Sequence, residues 1–341
     1  MLSRVGSLVS HKRAVNVVVQ TPESYLLSGG DDRLLVVHIW DSNRHRYNVA
    51  TSMGCSNQVM AIGYDSRHRR VYTGCHGGTV DVFSLSLNFE LTHLATYKWH
   101  GRECSCILVL EHHDIVITGG FDRQVLFFDI RANQVIYSDT LAKDFIRTLY
   151  YDDVGGKLYL GTHESNGILV YNLEDPRSVA NNPPTLSHRL GAEGIYKHVS
   201  PVRWIDFQPI SRYLFSCDHD GKILIFQAGE PGNERPSRAI GELKEREGTK
   251  LRCVLWNQNT RLLFSCGKDA HIKMWDVLKG EQITSVLAHR GEVMGMLFDQ
   301  HSLFATTSPT AILTLFSWGK DGSINIWAII PKDGLLAVPS R

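Results

Sequence analysis

No run of apolar residues in this 341-residue chain approaches the roughly 18 that a membrane-spanning helix needs. Neither sign of charge is in excess. Lys and Arg number 36 against 35 Asp and Glu, a formal net charge of +1, so no bulk field favours nucleic acid or an anionic membrane. Cysteine is sparse and odd in number, with seven residues and no CxxC pair. Several lie in apolar runs, such as Cys266 in Leu263-Phe264-Ser265-Cys266, which points to buried free thiols and a reducing compartment. The closest pair, Cys104-Ser105-Cys106, lacks the second ligand pair that a zinc site needs. GxSxG, HExxH and Walker motifs are all missing. Gly119-Gly120 precedes a turn and a strand rather than a helix, so it cradles no phosphate. There is no convincing amphipathic helix either.

What the chain does have is a recurring unit. A Ser or Thr is followed by three residues and then an Asp, then by an alternating apolar strand that closes on an aromatic. Ser265 to Asp269 leads to Trp275, and Ser317 to Asp321 leads to Trp327. Ser216 to Asp220 leads to Phe226, Thr118 to Asp122 leads to Phe128, and Ser28 to Asp32 leads to Trp40 with two extra strand residues. Two copies lose the Asp: Thr73 to Gly77 before Phe83, and Gly161 to Ser165 before Tyr171. The seven terminal aromatics lie 43 to 55 residues apart. The longer gaps carry loop-like insertions at Asp175 to Pro184, Gly229 to Pro236 and Leu303 to Thr310. Short β-branched and aromatic runs split by polar turns read as four strands per unit.

Seven such units in register resemble the WD-repeat family across essentially the whole chain. The resemblance implies an all-β, seven-bladed β-propeller at residues 1–330, with 331–341 as a tail. Each blade would bury two faces, so closure of the ring removes two bare sheets. Too little chain follows Trp327 for an outer strand, and residues 3–10 are expected to complete the last blade. That reading competes with a mitochondrial presequence, because no acidic residue precedes Glu23. In the family a His, a Ser/Thr, the turn Asp and the Trp join in one hydrogen-bonded network. The matching residues are His11, Asp32 and Trp40; His100, Thr118 and Asp122; His198, Ser216 and Asp220; and His289, Ser317, Asp321 and Trp327. Blade six offers Ser265, Asp269 and Trp275 but no suitable His.

Ser, His and Asp together also suit a hydrolase. The same trio recurs in several blades, whereas a catalytic site needs one, so a structural role is expected and catalysis is not. Arg67-His68-Arg69-Arg70 is a basic loop, read as a solvated surface or as a contact with acidic protein, RNA or lipid phosphate. The Phe-Arg-Arg-Gly motif of phosphoinositide-binding propellers is absent, since Val71 follows Arg70. Phe128-Asp129-Ile130-Arg131 is similar to the Trp-Asp-x-Arg ending of propellers that dock on the adaptor of cullin-RING ubiquitin ligases, with Asp129 and Arg131 in the docking positions. Arg69-Arg70-Val71-Tyr72-Thr73-Gly74, the stretch from Trp99-His100 to Thr118-Gly119, and Arg261 to Asp269 resemble the propeller of the WD-repeat-and-FYVE-domain proteins. The cysteine clusters of the FYVE zinc module are missing, so only a scaffold role carries over. The expectation is a non-catalytic scaffold or adaptor with several protein partners, no cofactor, no metal and no specific nucleic acid. The alternative is a cullin-RING substrate receptor. Residence is expected in the cytoplasm, with endosomal and mitochondrial association as alternatives.

Overall fold

A computed structural model describes residues 2–163, 167–192, 194–229, 238–245, 249–258, 260–300 and 313–329. Within them the alternating runs form seven four-stranded antiparallel sheets, the blades, and the short helical turn Pro176–Ser178 sits in the insertion between the third and fourth strands of blade four. Six blades are consecutive in sequence. The seventh combines Val293–Phe298, Leu313–Gly319 and Ser323–Ile329 with Leu2–Val9, which pairs antiparallel with Ser323–Ile329 from Leu2 opposite Ile329 to Val9 opposite Ser323. The N-terminal strand therefore closes the ring. The Leu303 insertion and the 331–341 tail lie outside the described residues, as does most of the Gly229 loop.

Burial follows position within the blade. The second and third strands are almost entirely buried, as in Leu26–Gly30 and Ile115–Gly120, because sheets cover them on both faces. The outermost strands alternate, as in Glu281–Leu287, where one face meets solvent. Seven apolar clusters fill the seven gaps between neighbouring blades. The closing gap joins Phe316, Trp318 and Ile324 of blade seven to Val15, Leu26 and Tyr47 of blade one. Blade six meets blade seven through Phe264, Leu313 and Trp327, with Leu2 packed in the same cluster. Burying each large apolar side chain is worth about 1.5–3 kcal/mol, so an open array would forfeit the contents of a whole gap. The glycine after the motif Ser/Thr has a packing reason. A Cβ on Gly29 would overlap the Val59 side chain of the next blade, and one on Gly119 would press on Ile146. Blades approach through that missing side chain.

Every innermost strand carries a β-bulge near its start. The bulged residues are Asn16, Met60, Ser105, Arg147, Arg203, Arg252 and Met294, one per blade. They reach sideways around the ring. Asn16 Nδ2 lies 3.5 Å from Met60 Sδ, and Ser105 Oγ donates to the Ile146 carbonyl of the next blade at 2.5 Å.

Candidate functional site

Blade seven shows the full polar network. His289 Nδ1 lies 3.0 Å from Asp321 Oδ1 and its Nε2 2.9 Å from Ser317 Oγ, while Trp327 Nε1 donates to that same hydroxyl at 2.9 Å. Burial alone would raise the Asp321 pKa. Donation from the Arg290 N–H, the Ser323 hydroxyl and His289 outweighs it and holds the carboxyl down at about 2. Burial also lowers the His289 pKa. A neutral imidazole with its proton on Nδ1 then donates to Asp321 and accepts from Ser317. This is the hydrogen-bond order of a hydrolytic triad. Here, however, the serine is fully buried and one of its lone pairs is taken by the Trp327 N–H. No reacting atom can reach it, and the trio ties two turns and two strands together.

The other blades vary the theme. In blade one His11 joins Asp32 at 2.9 Å and Ser28 at 2.7 Å, and in blade three His100 joins Asp122 at 2.9 Å and Thr118 at 2.8 Å. Two expectations are corrected. Trp40 is not the network aromatic: it is 45% exposed and packs edge-on against Tyr47, while His38 is buried and sits 2.9 Å from Ser28 Oγ. His38 pairs across the sheet with Leu26 as Trp275 pairs with Leu263, so the two extra residues follow the network position instead of preceding it. In blade five the acid is Asp218, not Asp220. Asp218 Oδ2 lies 3.1 Å from His198 Nδ1, His198 Nε2 lies 2.7 Å from Ser216 Oγ, and Asp220 sits in the turn beside His219. Asp218 wins because it ends the buried second strand, where the carboxylate also accepts the N–H groups of Asp220 and Lys222.

Blades two, four and six were incomplete in the sequence; the turn of blade four lies partly outside the described residues, and in blades two and six other residues fill the vacant places. In blade two the buried Asp81, on the third strand, accepts from the Ser56 N–H and the Thr96 hydroxyl, both at 2.7 Å. In blade six Glu245 takes the place of the histidine. It accepts from Ser265 Oγ at 2.7 Å and pairs with Lys273, which also lies 2.6 Å from Asp269, and Trp275 Nε1 donates to Ser265 at 2.9 Å.

A sequence model of the "WD domain, G-beta repeat" matches residues 193–227 and 239–276, in blades five and six. WD repeat and FYVE domain-containing protein 1 of Mus musculus is 24% identical over 278 residues, 80% of this chain and 62% of that protein. Striatin-3 of Bos taurus is 25% identical over 232 residues, 65% of this chain and 27% of that protein. The chain thus spans less than two thirds of the curated relatives it matches. Among solved structures, the WD40 β-propeller domain of Doa1 superposes with a TM-score of 0.74 at 13% identity, covering 99% of both chains. The chain carries WD40 repeats and folds as a seven-bladed β-propeller.

The exposed basic residues of this propeller do not form one free patch. Arg69 donates to the Leu85 and Ser86 carbonyls and pairs with Glu23 at 3.4 Å. Arg70 opens the second strand of blade two. Arg67 lies 3.2 Å from His112 and 3.9 Å from Asp114. Arg131, 2.7 Å from Asp114, shares that nearly buried carboxylate with Arg177. Asp129 accepts the N–H groups of Arg131 and Ala132, so it caps a turn. Among the described residues, no three His, Cys, Asp or Glu side chains gather as metal ligands. No helix there is long and apolar enough to cross a membrane.

What the sequence reading missed is the start of the innermost strands. Arg147, Arg203 and Arg252 occupy the bulge in blades four, five and six. The signal was present as a triplet of an apolar residue, the bulge residue and an apolar or small residue in each blade: Val-Asn-Val, Val-Met-Ala, Cys-Ser-Cys, Ile-Arg-Thr, Val-Arg-Trp, Leu-Arg-Cys and Val-Met-Gly.

Proposed function

We propose that this WD40 propeller is a non-catalytic scaffold that gathers several protein partners on its rigid faces. The observation that carries this reading is the fate of its reactive-looking residues. The Ser, Thr and His side chains in triad geometry are buried, and their hydrogen-bonding atoms are taken up by the turn Asp and, in blade seven, by Trp327. WD40 propellers in general are protein-interaction modules, which agrees with this reading. Binding energy is expected to concentrate in a few Arg and aromatic anchors. We place the protein in the cytosol, supported by seven free cysteines of which five are buried.

Affinity capture of the full chain from its own cells, with partners identified by mass spectrometry, tests the proposal. A reproducible, stoichiometric partner set supports it. Absence of partners together with turnover in a broad hydrolase screen overturns it. A cullin-RING adaptor among the partners, lost on Arg131→Ala, would instead select the substrate-receptor reading. For that role Arg131, 64% exposed on its side chain, would have to exchange its contact with Asp114 for the adaptor.

A further inference from the structure

One backbone hydrogen bond recurs in all seven blades and defines equivalent positions around the mouth of the ring. The residue after the second strand donates its N–H to the carbonyl two residues before the bulge, at 2.8 to 3.0 Å, from Asp31 to Ala14 through Lys320 to Glu292. Three positions per blade are thereby aligned: the carbonyl residue, the bulge residue and the N–H donor. Their charges are not evenly distributed. Blades four to six supply Arg147, Arg203, Lys250, Arg252 and Lys268 there and no acid. Blades one to three supply Asp31 and Glu103 and no Lys or Arg. Blade seven is balanced, with Glu292 between Arg252 and Lys320, the latter at 2.7 Å. The mouth therefore has a cationic side and an acidic side.

The cationic side is unsatisfied at its centre. Arg147 stacks 4.3 Å over the Phe121 ring of blade three, and its Nε is buried without a hydrogen-bond partner. Arg203 Nε is likewise buried and unpartnered, and Arg203 has no ion pair among the described residues. Burial, and then the charges of Arg147 and Arg252, lower the Arg203 pKa to about 10. At neutral pH the guanidinium still cannot shed its proton, so only an incoming anion relieves the repulsion. Arg252 has Glu292, but Arg147 and Arg203 have no ion pair of their own among the described residues; like charges held together in this way cost stability in the free protein, and a planar fork of donors suits the oxygens of a phosphate.

We propose that this mouth binds a phosphorylated segment of a protein partner, with the phosphate monoester against Arg203, Arg147 and Arg252 and a nearby basic side chain of the same segment against Asp31 and Glu103. The two-sided charge favours this occupant over a free anion, which would satisfy one side and be repelled by the other. The three arginines lie near the starts of innermost strands, and Asp31 and Glu103 flank strand ends at the same end of their blades. A phosphate adds about −1.5 to −2 charge at pH 7 and three acceptor oxygens. This inference rests on the scaffold reading, and it assigns that reading a face and a chemistry.

Calorimetric titration of the full chain with degenerate heptapeptides tests it. One pool carries a central phosphoserine with a lysine three residues away, a second replaces phosphoserine with serine, and a third replaces the lysine with glutamate. The first pool should bind at least tenfold more tightly than either other pool. Arg203→Gln should lose at least tenfold of that affinity while melting no lower than the parent, because it removes an unpaired charge. Arg131→Gln, on the opposite face, should bind as the parent does. Equal affinity for phosphorylated and unphosphorylated pools, or undiminished binding by Arg203→Gln, overturns the proposal. Pyrophosphate binding as tightly as the first pool overturns the protein source of the phosphate. If cellular partners are still captured by Arg203→Gln at parental levels, the mouth assignment fails and the scaffold reading stands.

Discussion

Blade six offers the sharpest test of how these networks hold the ring, because a Glu–Lys pair stands there in place of an imidazole. Glu245 is 4% exposed, and its described partners are the Ser265 hydroxyl and the Lys273 ammonium. Lys273→Met leaves a buried carboxylate with one neutral donor. Removing one member of a buried pair costs about 3–5 kcal/mol, and the slight exposure of Lys273 places this near the lower end. Glu245→Gln is milder. Lys273 keeps Asp269, which is partly solvated, and the amide keeps Ser265, so the loss is about 1–2 kcal/mol. The double variant buries no uncompensated charge and should be more stable than Lys273→Met alone, at a loss of about 2 kcal/mol. The assay is equilibrium urea unfolding followed by tryptophan fluorescence and circular dichroism, whose coincidence checks that one transition is measured. If the double variant loses the sum of the two single losses, the pair is not coupled and the reasoning is refuted.

Ser317→Ala strands both His289 Nε2 and Trp327 Nε1, whereas Thr118→Ala strands only His100 Nε2. The first should cost about 2–3 kcal/mol and the second about half that, by the same urea assay. Asp206 accepts the Trp256 N–H at 2.7 Å, and burial raises its pKa to about 6 despite that bond and those from Gln208. Its folded pKa lies above the unfolded one, so it lowers stability as pH rises from about 4 to 6 and the penalty persists above that. Asp206→Asn should therefore gain about 1–2 kcal/mol at pH 7 and nothing at pH 3, read from melting temperatures. Asp122, Asp218 and Asp321 behave oppositely. Burial opposes ionisation, but hydrogen bonds depress all three, so their stabilisation is present above about pH 4 and is lost as pH falls through their lowered pKa values, about 2 for Asp321. Deleting residues 1–10 strips the outer strand from blade seven and removes Leu2 from the gap between blades six and seven. It should lower the melting temperature by roughly 10 °C and broaden the transition; an unchanged melt would deny the strand its closing role.

The seven-bladed ring was legible because each blade repeats a strand pattern and a turn, and because two open faces demand closure. The errors were local. Trp40 attracted the network role as the nearest aromatic before an Asp, yet the offset from the motif Ser/Thr to the network aromatic is ten residues in blades two, three, five, six and seven, and from Ser28 it lands on His38. Asp218 and Asp220 both flank the turn, and only strand register decides between them. Asp81, at an early position of the third strand, and Glu245, after the outer strand of blade five, fill their slots from positions where the motif has no acid, so its spacing does not find them. The mouth arginines lie 56 and 49 residues apart along the chain, from Arg147 to Arg203 and from Arg203 to Arg252. Only the closed ring, with its repeated bulge, sets them side by side.

The most direct measurement of the scaffold claim compares, by quantitative mass spectrometry, the partners captured from cells by the parent chain, by Arg203→Gln and by Arg131→Gln. The expected result is a stoichiometric partner set in which at least one member is lost with Arg203→Gln, and lost likewise when the parent lysate is treated with phosphatase. A chain that captures no partner reproducibly would contradict the claim that this propeller works by gathering other proteins.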